Sequence, residues 1–155
     1  MITQEAGPGP GGVARDVPRC FSSPVIREAT LEDVEMIARF EQEVFPDNSL
    51  NELSIEKELG AGRTWVAEDQ AYALTRWDED VIDLLRLGVL PPYQRQGLGR
   101  VLLRTVLHHA DRPVILTVRR NNAPALRLYR QEGFRPAGYL PDADALLMRF
   151  TSTST

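Results

Sequence analysis

Apolar positions along the chain recur with two alternating periods, about 3.6 residues in some stretches and 2 in others. Val25-Ile26-Arg27 reads as a short strand. Thr30 followed by Asp33 is an approximate capping box, and it opens a helix with Val34, Ile37, Ala38 and Glu41 in register, stopping near Pro46. Ser49 and Glu52 repeat that signal for a second helix ending near Gly60. Trp65-Val66-Ala67 and Ala71–Trp77 form a predicted strand pair joined at Asp69-Gln70, and Val81–Val89 is a longer apolar strand. Gly97–Ala110 is helical, with Leu98, Val101, Leu102, Thr105 and Val106 on one face. Val114–Val118 reads as a buried strand, and Ala123–Glu132 as a helix closed by Gly133. Phe134–Leu140 and Ala145–Phe150 complete the pattern as two strands. The order βααββ-β-αβ-αββ predicts a mixed α/β sheet in one layer with helices packed on it.

Composition narrows this picture. At 155 residues, 43% hydrophobic and 26% charged, the chain fits one globular domain. No stretch approaches 18 uncharged apolar residues, so no membrane span is expected. The N-terminus lacks an apolar run behind a basic start, so no secretory signal is expected either. Residues 1–23, with Gly7-Pro8-Gly9-Pro10-Gly11-Gly12, read as a flexible tail, and 151–155 as a polar one; the domain is expected over 24–150. The lone Cys20 sits in the first tail, where nothing would lower its pKa, so it is set aside as a nucleophile. One cysteine fits a reducing compartment, and the expected location is cytoplasmic.

The net charge of -4 conceals an asymmetry. Between Glu28 and Asp83 there are sixteen acids against four bases; between Arg95 and Arg135, nine arginines against Asp111 and Glu132. This suits an anionic ligand on the C-terminal half and a cationic one near the N-terminal half, or else a solvated charge pattern with no ligand.

Val89-Leu90-Pro91-Pro92-Tyr93-Gln94-Arg95-Gln96-Gly97-Leu98-Gly99-Arg100 carries the candidate chemistry. A strand runs into a two-proline turn and then into a helix with two glycines in its first turn. Helix N-termini offer unsatisfied N–H groups and the positive end of a dipole, and so bind phosphate. Gly97 and Gly99 would let backbone donors approach an anion, while Arg95 and Arg100 add positive charge. The stretch lacks the Gly-Lys-Ser/Thr ending of a Walker loop, and also the third glycine and following acid of a dinucleotide fingerprint.

Gln94-x-x-Gly97-x-Gly99 after Leu87-Gly88-Val89 resembles the acetyl-CoA signature of the GNAT superfamily of N-acetyltransferases. Leu116-Thr117-Val118-Arg119-Arg120-Asn121-Asn122-Ala123-Pro124-Ala125-Leu126-Arg127-Leu128-Tyr129, with Gly133-Phe134, is similar to the corresponding block of ribosomal-protein N-terminal acetyltransferases within it. The resemblance implies a single α+β domain with a central mixed, mostly antiparallel sheet flanked by about four helices. It also implies acetyl-CoA as co-substrate and direct transfer of its acetyl group to a primary amine. Backbone groups at Leu87, Gly88 and Val89 would then pair with the pantetheine arm, and amides of Arg95, Gln96, Gly97, Leu98, Gly99 and Arg100 behind Gln94 would hold the pyrophosphate. Asn122 matches a cofactor-contacting asparagine. Tyr129 matches the tyrosine that protonates the departing thiolate; the other reading is an aromatic packed on the sheet.

The expected base departs from that pattern. Thr117 stands where these N-terminal acetyltransferases often carry glutamate, and threonine is no base near neutral pH. Asp83 falls six residues before Val89, where the histone-acetyltransferase branch has its strand glutamate. Partial burial would raise its pKa toward a useful value; the other reading is a solvated carboxylate, or one paired with an arginine such as Arg86. A lysine amine of pKa about 10.4 costs roughly 4–5 kcal/mol to deprotonate at pH 7, and an α-amine near 7.8 only about 1. A weak base therefore favours a peptide or protein N-terminus over lysine, with a small-molecule amine also open. Missing the glutamate equally suits a non-catalytic acyl-CoA-binding sensor or interaction module. His108 and His109 have no accompanying ligand cluster, so no metal is expected. Trp65 and Trp77 read as core or rim, and no basic-aromatic array points to nucleic acid. Monomer and homodimer are both open.

Overall fold

The computed structural model describes residues 24–151; the expected N-terminal tail with Cys20, and all of the C-terminal one but Thr151, lie outside them. The strands are β1 (Ile26–Glu28), β2 (Thr64–Ala67), β3 (Ala71–Trp77), β4 (Ile82–Val89), β5 (Val114–Arg119), β6 (Arg135–Leu140) and β7 (Ala145–Phe150). They form one sheet in the order β1-β2-β3-β4-β5-β7-β6. Every neighbouring pair is antiparallel except β4 and β5. The helices are α1 (Val34–Val44), α2 (Glu52–Ala61), α3 (Leu98–His109) and α4 (Ala123–Gln131). The predicted elements are all present.

Because successive side chains of a strand point to opposite faces, the sheet builds two cores. On one face Leu84, Leu87, Val89, Leu116 and Val118 meet Leu102 and Val106 of α3 and Leu128 of α4. On the other, Val66 and Tyr72 meet Val34, Ile37 and Phe40 of α1 and Ile55 of α2. The Thr30–Asp33 capping box forms as predicted, ahead of a 3-10 turn leading into α1. The α2 cap is corrected by two residues. Asn51, extended just before the helix, caps it by accepting from the Ser54 amide at 2.8 Å, and Ser49 lies in the preceding loop.

That loop is tied to β4 by a buried polar cluster. Arg86 Nε donates to both Glu41 carboxylate oxygens at 3.2 Å, and its Nη2 donates to the Asn48 carbonyl at 2.8 Å. The Tyr72 hydroxyl also donates to Glu41, the Leu50 amide does so at 2.9 Å, and the Phe45 ring lies 4.8 Å from the guanidinium. Burial and the adjacent Glu41 carboxylate hold the Tyr72 phenol well above its ordinary pKa. Glu41 thus occupies the apolar register of α1 because its charge is matched inside.

Gly88 is fixed by the same face. A Cβ there would lie 2.6 Å from a ring carbon of the buried Tyr72. Gly88→Ala is expected to destabilise the fold by about 1–3 kcal/mol through overpacking. Denaturant unfolding checks this: an unchanged midpoint would show that Tyr72 yields freely.

Candidate functional site

β4 and β5 are paired only at Ile82–Val114 and Asp83–Ile115, although they are eight and six residues long. Beyond Asp83 the two strands diverge, and the sheet opens along the Leu84–Val89 stretch of β4. Their divergence leaves that edge facing a gap rather than a neighbouring ladder, which suits an extended ligand added as a strand. Leu87 and Val89 bury their side chains on the α3 face, so only backbone is offered at these positions. The Val89 carbonyl already accepts from Gln94 Nε2 at 2.9 Å, a bond that fastens the following turn to the strand end. Gln94 Oε1 is buried with no hydrogen-bond partner among the described residues, an acceptor for which a bound group is the natural donor.

The open edge leads directly to the glycine turn. Pro91–Tyr93 make one 3-10 turn, Arg95 takes a left-handed φ of 65°, and Gly97 one of 83° at the N-cap of α3. A Cβ at Gly97 would meet nothing within 4 Å, so conformation, not space, selects glycine there. No side chain caps α3, which leaves its first-turn N–H groups and dipole for an anion.

A cleft of about 250 Å³ lies over this turn. Its first wall is Val89, Gln94, Arg95, Gly97, Leu98, Gly99 and Arg100, all singled out in the sequence. Tyr93 and a second wall from α4 complete it: Pro124, Arg127, Leu128 and Gln131. Those four had a sequence signal, the i, i+3, i+4, i+7 spacing of a single helix face, but the pattern does not say what the face covers.

Several predicted residues have other commitments. The Arg100 guanidinium is engaged by Glu132 and Gln131, so its contribution to the cleft is backbone and stem. Asn122 caps α4, its Oδ1 accepting from the Ala125 amide at 3.2 Å. Tyr129 is fully buried on the inner side of α4, with its ring 5.6 Å from that of Phe134. It is adjacent to the cleft-lining Leu128 and does not itself line the cleft.

Residues 30–134 match the Acetyltransferase (GNAT) family. The chain belongs to that family. Among its relatives, the ribosomal protein bS18-alanine N-acetyltransferase of Escherichia coli is 38% identical over 82 residues, 48% of this chain and 55% of that protein. The N-alpha-acetyltransferase RimI of Mycobacterium tuberculosis is 44% identical over 70 residues, 41% of this chain and 44% of its own length. These matched stretches span about half the length of the curated relatives. The crystal structure of the Escherichia coli ribosomal-protein-alanine N-acetyltransferase superposes with a TM-score of 0.72 at 26% identity, covering 84% of this chain and 95% of that one.

In this GNAT domain the remaining candidates lie on the opposite side of the sheet from the cleft. Asp83 pairs across β3 with Arg76 and across β5 with Ile115. Alternation then brings Ile115, Thr117 and Arg119 to the same face as Asp83, with the gap between the strands separating Thr117 from β4. Asp83 is half-buried, and burial raises its carboxyl pKa; Asp78 and Glu58 add to the rise while Arg76 opposes it. The sequence alternative of an Asp83–Arg86 pair is corrected: Arg86 is bound to Glu41, and the cation near Asp83 is Arg76, itself held by Glu58 at 3.0 Å.

Proposed function

We propose that this protein transfers the acetyl group of acetyl-CoA to a primary amine, with a peptide or protein N-terminal α-amine as the favoured acceptor. The observation that carries the reading is a single gap in the sheet with different chemistry on its two faces. One face leads to the uncapped, positive-φ turn at Gly97; the other carries a half-buried carboxylate with a raised pKa. The buried, unpartnered Gln94 Oε1 beside that turn supports a ligand with amide N–H groups, as a pantetheine arm has. The Escherichia coli relative is a ribosomal protein bS18-alanine N-acetyltransferase and the Mycobacterium one an N-alpha-acetyltransferase, which supports the acceptor class.

In this reading the acceptor amine adds to the thioester carbonyl carbon from the Asp83 side. Asp83 takes the amine proton, directly or through a water held at Thr117, and passes it to solvent. As the C–S bond breaks, Tyr129 gives a proton to the departing sulfur. Residues 24–150 are the transferase unit, the compartment is the cytoplasm, and the donor is met from the arginine-rich half. The rival, a binding module without catalysis, draws on the absence of glutamate at position 117. Its support weakens because the sheet face that carries Thr117 also carries Asp83, at the last paired rung before the gap.

The reading is tested by incubating the protein with acetyl-CoA and a peptide with a free N-terminal alanine, and reading the α-amine by mass spectrometry. Absence of any acetylated α-amine across a panel of N-terminal residues would overturn it. Asp83→Asn gives a further expectation, about pH. The folded-state pKa of Asp83 lies above its ordinary value, so the wild-type rate falls as pH drops through that raised pKa. The variant should be slower near neutrality and lack that acidic limb. The sign for stability is opposite. A raised carboxyl pKa means that ionised Asp83 disfavours folding at neutral pH, an effect that vanishes below its unfolded pKa. Asp83→Asn should therefore unfold at a higher temperature than wild type at pH 7, and the difference should shrink toward pH 4. A wild-type-like pH–rate profile would remove Asp83 from the reaction.

A further inference from the structure

Beyond the gap, the face that carries Asp83 and Thr117 is left open. α1 and α2 lie over β3 and β4. Register extends the face across the remaining strands: Ile115 pairs with Arg149 and Arg149 with Arg135, Thr117 with Leu147 and Leu147 with Gly138, Arg119 with Ala145 and Ala145 with Leu140. Arg119, Arg135, Gly138, Leu140 and Arg149 are exposed, while Ile115, Thr117 and Leu147 form a half-buried floor between them.

The exposed charged side chains of β5, β6 and β7 on this face are all arginines. Four acids of the acidic half are neutralised internally, by Arg27–Asp33, Arg63–Glu28, Arg76–Glu58 and Arg86–Glu41. Four arginines elsewhere are likewise taken, Arg100 and Arg104 by Glu132, Arg112 by Asp111 and Arg120 by Asp144. Among the described residues, Arg119, Arg135 and Arg149 enter no ion pair. Three strands thus present three guanidiniums outside any ion pair on one open face beside the candidate base, Arg149 donating only through Nε to Thr151 Oγ1 at 3.4 Å, with no acid of β5, β6 or β7 between them. Guanidinium groups recognise carboxylates by paired N–H donation, which the solvated backbone of an uncharged peptide would not engage as well.

We propose that the acceptor is a peptide N-terminus followed by acidic residues, laid across β5, β7 and β6 with its carboxylates on Arg119, Arg149 and Arg135. This rests on the α-amine acetyltransferase reading above and specifies its substrate. Spacing sets which positions matter. Measured from Asp83, Arg149 is two strands away, about 10 Å, Arg135 three, about 14 Å, and Arg119 one strand across and four residues along β5 from Ile115, also about 14 Å. At about 3.3 Å per extended residue, these reach residues 4 and 5 of the acceptor, with residue 3 within side-chain reach. The acidic half of the sequence suggested a cationic acceptor; four of its sixteen acids are paired internally, and the acceptor is placed on the open basic face instead.

The experiment compares two peptides with the same first two residues, one carrying Asp or Glu at positions 3–5 and the other Ser or Gln. They are assayed with wild-type enzyme and with the Arg119→Glu/Arg149→Glu double variant, at low and high salt. Wild type should favour the acidic peptide by about tenfold in kcat/KM, mostly through KM, because each exposed pair contributes modestly and is screened. The double variant should erase or invert that preference while acetylating the neutral peptide at the wild-type rate. Equal acetylation of both peptides by wild type, or an unchanged preference in the variant, would overturn the acidic-peptide assignment and leave the transferase reading standing. Preference for a basic peptide would overturn it as well. If neither peptide is acetylated although acetyl-CoA binds, the α-amine reading fails and this one falls with it. Matching thermal unfolding of variant and wild type checks that the exposed substitutions leave the fold intact.

Discussion

Gly97→Glu is expected to abolish acetyl-CoA binding in calorimetric titration, weakening it by about 100-fold or more, on the order of 3 kcal/mol. Two physical effects act together. Gly97 holds a φ of 83° at the N-cap of α3, a conformation that costs a side-chain-bearing residue about 1–2 kcal/mol. The added carboxylate would also sit at the mouth of the uncapped helix, competing with a pyrophosphate for its N–H groups and repelling it. Gly97→Ala separates the two. Its Cβ meets nothing within 4 Å, so it carries the conformational cost alone and should retain most of the affinity. Loss of binding in both variants would assign the effect to backbone strain. Full binding by the glutamate variant would mean that the anion sits elsewhere, and no binding by wild type would reduce the glycine turn to a structural device and take the transferase reading with it.

The turn was legible in the sequence because everything it needs is local: a strand end, two prolines, and glycines at fixed offsets from a helix start. The element order was legible for the same reason, since each period is set by near neighbours. What the sequence could not carry was register between distant segments. That Asp83 and Thr117 share a face depends on β4 and β5 pairing at only two positions before diverging. Arg86 illustrates the same limit. It lies three residues from Asp83 in β4 and suggests a local pair, yet its carboxylate partner is Glu41, 45 residues away, brought in by the packing of α1. Glu41 in an apolar register was the visible sign of that buried cluster, with nothing in the pattern to name its partner. The shift of the α2 cap from Ser49 to Asn51 has a similar origin, because the Arg86–Asn48 and Glu41–Leu50 bonds hold the loop extended past Ser49.

Tyr129→Phe is expected to lower kcat by about 100-fold while leaving acetyl-CoA affinity within about twofold of wild type. Release of a thiolate at pH 7 is unfavourable by roughly 2 kcal/mol relative to release of the thiol, for a thiol of pKa about 8.5. A phenol hydrogen-bonded to the sulfur as the C–S bond lengthens offsets that cost where it arises, in the transition state, so its removal should appear in kcat and not in ground-state binding. Burial makes the substitution clean. The ring is fully buried against Phe134, and phenylalanine keeps its volume and edge contact, so stability should change little. The measurement that isolates the role is the leaving-group dependence. An acetyl thioester of a more acidic thiol needs less help, so the gap between variant and wild type should narrow as the thiol pKa falls. A constant gap across thiols would make Tyr129 a packing residue whose loss shifts α4, and an unchanged rate with acetyl-CoA itself would remove it from the reaction altogether.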